Sequence, residues 1–307
     1  MAGKLFLKFN RVFVVFLVLS AKNAGFISCQ DDGDDGDGVS NRRALAPAMF
    51  IFGDSLIDNG NNNNLPSFAK ANYFPYGIDF KGGPTGRFSN GYTMVDTIAE
   101  LLGLPLIPAY SEASGDQMRY GVNYASAAAG ILDDTGRNFV SRIPFNQQIK
   151  NFETTLDQIT DNLAGLGLMG CIPSILAQSN NGICSEQVNQ LVQPFNTNTK
   201  IMINNLTTNL PGAKFSYIDI RNLFQDLLAN SGSYGFNVVN RGCCGIGRNR
   251  GQITCLPFQT PCDNRNGYIF WDAFHPTEAV NILFGKRAFN GNKDVVYPMN
   301  IEQLANI

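Results

Sequence analysis

The 307-residue chain contains a single histidine, His275, so any reaction that needs an imidazole base must use that side chain. Asp272 lies three positions before it, in Asp272-Ala273-Phe274-His275, directly after the short aromatic run Tyr268 to Trp271. A carboxylate so placed can hold one ring nitrogen, fix the tautomer and stabilise the imidazolium formed when the other nitrogen takes a proton. Far upstream, Gly53-Asp54-Ser55-Leu56 follows the apolar run Met49 to Phe52. A serine hydroxyl becomes a useful nucleophile only with a base in hydrogen-bond reach, and neutral imidazole suits near-neutral pH. Ser55, His275 and Asp272 are therefore the candidate nucleophile, base and orienting carboxylate. Each also has a plainer reading. A serine after Gly-Asp is an ordinary turn residue, Asp272 can be a helix N-cap, and a histidine before a proline can cap a helix. Their joint placement, with the one histidine beside an aspartate at a strand end, brings the two readings level. No Gly-x-Ser-x-Gly occurs, which argues against the nucleophile elbow of an α/β-hydrolase, and one histidine excludes a multi-histidine metal site.

These residues need elements to position them. Met49 to Phe52 reads as a buried strand stopped by Gly53, and Tyr92 to Leu102 as a helix stopped by Gly103 and Pro105. Asn59 to Asn64 must be loop, and the Gly- and Pro-rich Gly77 to Gly91 reads as surface loop. Tyr120 to Ala125 reads as a second strand. Ile149, Phe152, Leu156, Ile159 and Leu163 fall on one face of an amphipathic helix. Ala164 to Cys171 then reads as a buried strand starting at the next residue, although helix-to-strand connections usually take about 2 to 6 residues. Something is therefore expected to be absent between Asp161 and Ala164. Ser185 is an N-cap candidate for a helix running towards Leu206 and ended by Pro211-Gly212. Lys214 to Ile220 follows as a strand, Asn222 to Ala229 as a helix, Tyr268 to Trp271 as a strand and Pro276 to Phe289 as a helix. Strands alternating with helices imply an α/β domain with a mostly parallel sheet, whose active site belongs at the carboxyl ends of the strands.

Composition narrows the partners. Lys plus Arg (23) nearly balances Asp plus Glu (25), so no sequence-wide field draws the chain onto nucleic acid or anionic membrane. Lys4, Lys8 and Arg11 precede the apolar run Val12 to Leu19, the layout of a secretory signal peptide too short for a comfortable bilayer span. Residues 1–28 are assigned to that signal, with cleavage between Ala24 and Cys29. Residues 29–45, with the acidic run Asp31 to Gly38, are assigned to a flexible lead-in. Secretion makes disulfides the natural state of Cys171, Cys184, Cys243, Cys244, Cys255 and Cys262. Spacing favours Cys171 with Cys184, and leaves the other four to pair among themselves. A zinc site would want a Cys-x-x-Cys pair, and none occurs. Asn205-Leu206-Thr207 is a glycosylation sequon.

Phe50-Ile51-Phe52-Gly53-Asp54-Ser55-Leu56, followed by Asp58-Asn59-Gly60, resembles the first block of the plant GDSL esterase/lipase family, a branch of the SGNH hydrolases. The similarity continues through Pro84-Thr85-Gly86-Arg87-Phe88-Ser89-Asn90-Gly91, Gly121-Val122-Asn123-Tyr124-Ala125-Ser126, Cys243-Cys244-Gly245 and Asp272-Ala273-Phe274-His275-Pro276-Thr277. The resemblance implies a three-layer flavodoxin-like fold over residues 46–307, secretion, no metal or organic cofactor, and hydrolysis of carboxylic esters through an acyl-serine intermediate. It implies Ser55 as nucleophile, His275 as base and then acid, and Asp272 as orienting carboxylate. The oxyanion hole would use the N–H of Ser55, the N–H of Ala128, and an Asn side chain of a third block, Gly-x-Asn-Asp. Ala128 stands where the family usually has glycine, five residues after Asn123. The third block is missing, and its place falls at the short connection near 161–164. One interior strand-helix unit is thus expected to be lacking, and activity to be impaired. A catalytically inactive extracellular binding protein and an acyltransferase are the alternatives. The expected partner is a small-molecule or lipid ester, with no nucleic acid, no transmembrane segment and a monomeric chain. Acyl length is expected to be set by loops such as Asn59 to Pro84.

Overall fold

The computed structural model describes residues 14–19, 44–46, 48–153, 162–179, 182–209 and 215–306. The acidic lead-in, the cleavage region, Leu156, Ile159 and Pro211-Gly212 lie outside them. In chain order the strands are β1 (Val14–Leu19), β2 (Ala48–Gly53), β3 (Asn162–Ala164), β4 (Ser216–Ile218), β5 (Val238–Gly242), β6 (Tyr268–Phe270) and β7 (Val296–Tyr297). The α-helices are α1 (Met94–Leu101), α2 (Phe145–Glu153), α3 (Pro173–Gln178), α4 (Glu186–Leu191), α5 (Gln193–Asn209), α6 (Ile220–Ala229), α7 (Glu278–Asn290) and α8 (Ile301–Ala305).

β2 shows why the chain layers as it does. Successive strand side chains point to opposite faces, and both faces of β2 are apolar. Met49 and Ile51 join a core with Ile98 and Leu102 on one side, while Ala48, Phe50 and Phe52 pack with Val122 and Tyr124 on the other. Phe52 stacks on Tyr124 at 5.1 Å between ring centroids, and Phe50 meets Phe152 of α2 edge-on at 5.3 Å. A strand covered on both faces is the mark of an α/β sheet, and the α/β architecture is present as expected.

The five-stranded sheet runs β2-β1-β3-β4-β7, with β5 and β6 forming a separate parallel pair. β3 and β4 are parallel. The expected strand at Tyr120 to Ala125 is an extended segment parallel to β2, tied by Ile51 N–H to the Val122 carbonyl (3.0 Å) and Tyr124 N–H to the Ile51 carbonyl (2.7 Å). Gly121 starts it at φ +115°, where a Cβ would lie 1.8 Å from the Met49 carbonyl oxygen, so only glycine fits.

Several expectations need correction. The interior position expected to be empty, between β2 and the segment after Leu163, is occupied by β1, antiparallel to both neighbours. Strand edges in the middle of a sheet present rows of N–H and C=O groups, and an extended segment within reach satisfies them. Leu163 lies in β3 and on no helix face, because pairing with Tyr217 decides its conformation; β3 ends at Ala164, and a 3₁₀ turn covers Met169–Cys171. The helix from Ser185 is broken at Val192, since Pro194 has no N–H to continue the turn before it. The last long helix starts at Glu278 with Thr277 as N-cap, leaving Pro276 in a bridge with Phe270. The disulfides are Cys171–Cys184, Cys243–Cys262 and Cys244–Cys255. Asn205 is exposed on α5.

Candidate active site

β2 delivers Ser55. Its last residue, Gly53, is gripped by the buried Gln148 amide, which accepts from the Gly53 N–H (2.9 Å) and donates to its carbonyl (2.8 Å). Asp54 then closes a single turn. Its carbonyl accepts from Asp58 N–H (3.0 Å) and its carboxylate from Leu56 N–H (3.0 Å), which leaves Ser55 half-buried just past the strand end.

β6 delivers the other two residues. Asp272 and His275 sit in a tight turn closed by Trp271 N–H on the His275 carbonyl (2.8 Å). Within it the Asp272 Oδ1 accepts the N–H groups of Phe274 (2.8 Å) and His275 (2.9 Å). The same oxygen lies 2.8 Å from His275 Nδ1, and the opposite ring nitrogen, Nε2, lies 2.8 Å from Ser55 Oγ. Three residues, one of them more than 200 positions before the other two, thus form one chain of hydrogen bonds. Asp272 caps no helix, since the N-cap of α7 is Thr277.

The electrostatics suit a carboxylate that stays charged. Burial alone would raise the Asp272 carboxyl, but the His275 ring, the Tyr76 hydroxyl and the Phe274 N–H bring it down to about 2. Tyr76 is pushed well above the ordinary tyrosine range by its burial and by the Asp272 charge, so its hydroxyl remains a donor. The Phe88 ring packs 5.2 Å from the His275 ring, and Arg87, Phe88, Ser89 and Asn90 are all buried. Surface loop was thus the wrong expectation for that stretch: Arg87 is drawn in by a two-pronged bond to the buried Asp96 (2.8 and 2.9 Å).

Ser55 and Ala128 carry the two backbone N–H groups expected to hold the oxyanion. Among the described residues, neither the Ser55 nor the Ala128 N–H donates a hydrogen bond to a protein acceptor. Ala128 takes φ +66°, the left-handed region that a glycine would occupy freely and that costs an alanine about 1 kcal/mol. The segment is held there from below. Asp58 Oδ2 accepts the Ala127 N–H (2.8 Å), Asn62 donates to the Ala127 carbonyl (3.0 Å), and Asn61 donates to the carbonyls of Asn123 and Ala125 (both 2.7 Å). The asparagine run is loop, as expected, and is partly a buried brace, its amides satisfying backbone groups. Asp58 is fully buried, and burial lifts its carboxyl to about 6 against the pull of the Gly60, Ala127 and Asn61 N–H groups.

A small apolar cavity of about 60 Å³ lies beside the hydrogen-bonded chain. Its walls include Leu56 and Ile57, just after Ser55, and Phe274 and Pro276, on either side of His275. Met94, Phe224 and Phe284 from α1, α6 and α7 complete it with the segment 165–169. Among its described walls none comes from Asn59 to Pro84. Sequence reasoning also missed Gln148, Asp58, Tyr76 and Thr254, each of which acts across the fold and has no local pattern to reveal it. Among the described residues no group of three or more His, Cys, Asp or Glu side chains is arranged to hold a metal ion, and no helix is long and apolar enough to cross a membrane.

Comparison with known proteins places these features in context. Residues 49–162 and 135–288 match the model of a family described as GDSL-like lipase/acylhydrolase. A GDSL esterase/lipase of Arabidopsis thaliana is 57% identical over 345 aligned positions, covering 90% of this chain and 88% of the relative. Two further GDSL esterase/lipases of that plant are 43% and 42% identical, each covering 86% of this chain and 93% of the relative. The first alignment is longer than the 307-residue chain although it uses only 90% of it. Several tens of residues in the relative therefore have no counterpart here.

Proposed function

Because the chain belongs to the GDSL-like lipase/acylhydrolase family and is by that membership a carboxylic ester hydrolase, we propose that it acts through an acyl-serine intermediate on Ser55. The observation that carries this is the 2.8 Å contact of Ser55 Oγ with His275 Nε2, on a ring whose other nitrogen faces Asp272. In the first step the Ser55 oxygen bonds to the ester carbonyl carbon while its proton passes to Nε2. The carbonyl oxygen becomes an oxyanion, held by the N–H groups of Ser55 and Ala128. Its collapse breaks the bond to the alkoxide, which leaves with the proton from Nε2. A water molecule then repeats the sequence on the acyl-serine and releases the acid.

The missing third block removes the Asn side chain that the family resemblance supplies as a further donor. Loss of one such donor lowers turnover roughly 100- to 1000-fold, so this chain is proposed to be a slow esterase. The apolar cavity beside Ser55 supports linear aliphatic acyl groups as the fitting substrates. The basic and then apolar N-terminus, with three disulfides, supports secretion. Cleavage between Ala24 and Cys29 would remove β1, so secretion and a complete sheet compete for the same segment.

A fluorophosphonate probe together with a 4-nitrophenyl ester tests the reading. Wild type is expected to be labelled and to hydrolyse the ester, and Ser55→Ala to do neither. Absence of label in folded wild type would support the competing reading, a non-catalytic binding protein, which rests on the incomplete oxyanion hole.

A further inference from the structure

Asp272 is held from two sides, and only one of them belongs to its own turn. Oδ1 takes the two backbone N–H groups already described. Oδ2, which also lies 2.9 Å from His275 Nδ1, faces two hydroxyls from distant parts of the chain: Tyr76 donates to it at 2.6 Å and Thr254 at 3.0 Å. Tyr76 is 1% exposed and is wedged edge-on among Tyr73, Phe88 and Trp271. Thr254 precedes Cys255, whose disulfide partner Cys244 donates its N–H to the Trp271 carbonyl at 2.7 Å, one residue before Asp272. A second strut comes from the Tyr73 hydroxyl, which donates to the Cys255 carbonyl at 3.2 Å.

We infer that Tyr76 and Thr254 are positioning residues for Asp272, clamping its outer oxygen so that the carboxylate cannot turn away from the His275 ring, and that the Cys244–Cys255 disulfide holds the Thr254 half of the clamp. The inference rests on the roles proposed for Ser55, His275 and Asp272. A carboxylate attached only through its own turn could rotate about its side-chain bond and lose Nδ1. With both oxygens engaged, rotation would break hydrogen bonds to a buried charge, each a contact stronger than its neutral counterpart. The clamp has an electrostatic consequence as well. A carboxylate released from either hydroxyl can turn from Nδ1 and then stabilises the imidazolium less. The titratable groups acting on this carboxylate are His275, Tyr76 and, behind it, Tyr73, which burial and the Asp272 charge both raise. Both tyrosines are thereby kept protonated, so the clamp remains a donor pair while His275 changes charge.

The single histidine makes the test direct, because its ring signals in the full-length protein can belong to no other residue. The His275 titration is followed by NMR in wild type, Tyr76→Phe and Thr254→Val, with kcat and KM measured on a 4-nitrophenyl ester. Both variants are expected to titrate at lower pH than wild type, and a shift to higher pH overturns the clamp. Turnover at pH 7 is expected to fall on the order of tenfold with KM little changed. A paired Cys244→Ser and Cys255→Ser variant is expected to move the titration in the same direction as Thr254→Val. Titration curves that superimpose on wild type in both hydroxyl variants overturn the clamp, and superposition in the cysteine variant alone removes the disulfide from it. Should Tyr76→Phe fail to fold, Thr254→Val, at a half-buried position, reads the same quantity. Loss of all esterase activity in wild type would sink the proposed function instead, while the titration would still decide the clamp.

Discussion

Replacing Asp272 with asparagine separates charge and tautomer from shape. The Oδ1 position accepts the N–H groups of Phe274 and His275, so the amide oxygen must stay there and the NH₂ must take the place of Oδ2. That NH₂ then faces His275 Nδ1, 2.9 Å from the present oxygen, and can only donate to it. Donation from that NH₂ favours the tautomer with its proton on Nε2, the nitrogen 2.8 Å from Ser55 Oγ, in competition with the amide oxygen that stays 2.8 Å from Nδ1. A protonated Nε2 cannot take the serine proton. By analogy with other serine triads, kcat is expected to drop about 10⁴-fold, close to 5.5 kcal/mol of transition-state stabilisation. Fluorophosphonate labelling should slow in parallel. The sign of the stability effect is also set. Asp272 falls from the ordinary 3.8 to about 2 on folding, so its charged form contributes on the order of a few kcal/mol above pH 4, which is lost as pH falls towards 2. The asparagine variant lacks that increment at every pH. Its melting temperature should therefore lie below that of wild type at pH 7, with the gap narrowing on acidification. Turnover within tenfold of wild type in a folded Asp272→Asn protein would refute the tautomer argument, and a gap that stays constant down to pH 2 would refute the linkage.

Two other perturbations probe different parts of the molecule. Phe224→Trp enlarges a ring in the cavity wall that already packs edge-on to Phe284 at 4.8 Å; hydrolysis of 4-nitrophenyl octanoate relative to the acetate should fall roughly tenfold or more, and an unchanged ratio would place the acyl chain elsewhere. A chain lacking residues 1–29 loses β1 and the six register pairs it makes with β2, at about 1 kcal/mol per backbone hydrogen bond. Chemical denaturation and light scattering should then show a protein destabilised by several kcal/mol and prone to associate through the opened edges, whereas stability equal to that of the full chain would mean that β1 adds nothing.

The sequence made the three reacting groups legible for a simple reason. One histidine leaves no choice of base, and residues that end apolar runs in an alternating α/β pattern are the ones a parallel sheet gathers at one edge. Strand β2, helix α1, the cap at Ser185 and the Cys171–Cys184 bridge were readable because each depends on neighbours within a few residues. The failures share a cause. Leu163 follows helical spacing, yet pairing with Tyr217 overrides it. Asn61 and Asn62 read correctly as loop, but that reading does not reveal that their amides find buried carbonyls across the fold. Tyr76 and Thr254 reach Asp272 from 196 and 18 positions away, and neither residue type at such distances signals anything in a linear reading. The basic and then apolar N-terminus read as a leader, and nothing in those residues announced that an interior strand position would be vacant for it.

The placement of the gap decides which part of the chemistry suffers. Ser55 comes from the end of β2, Asp272 and His275 from the end of β6, and the supports of all three from residues 58–62, 76, 148 and 254, every one of them outside the short connection near 161–164. The proton-transfer chain can therefore survive in a shortened protein, while the side-chain oxyanion donor, which the resemblance assigns to the missing block, cannot. These two losses are distinguishable because they act on different steps. A fluorophosphonate brings a strongly activated phosphorus and an excellent leaving group, so its attack by Ser55 leans chiefly on the base. An alkyl ester must build a full oxyanion on carbon, and leans on the donors. Labelling close to that of a relative with the complete third block, alongside ester turnover 100- to 1000-fold lower, is the combination that an intact Ser55–His275–Asp272 chain beside a two-donor oxyanion hole requires.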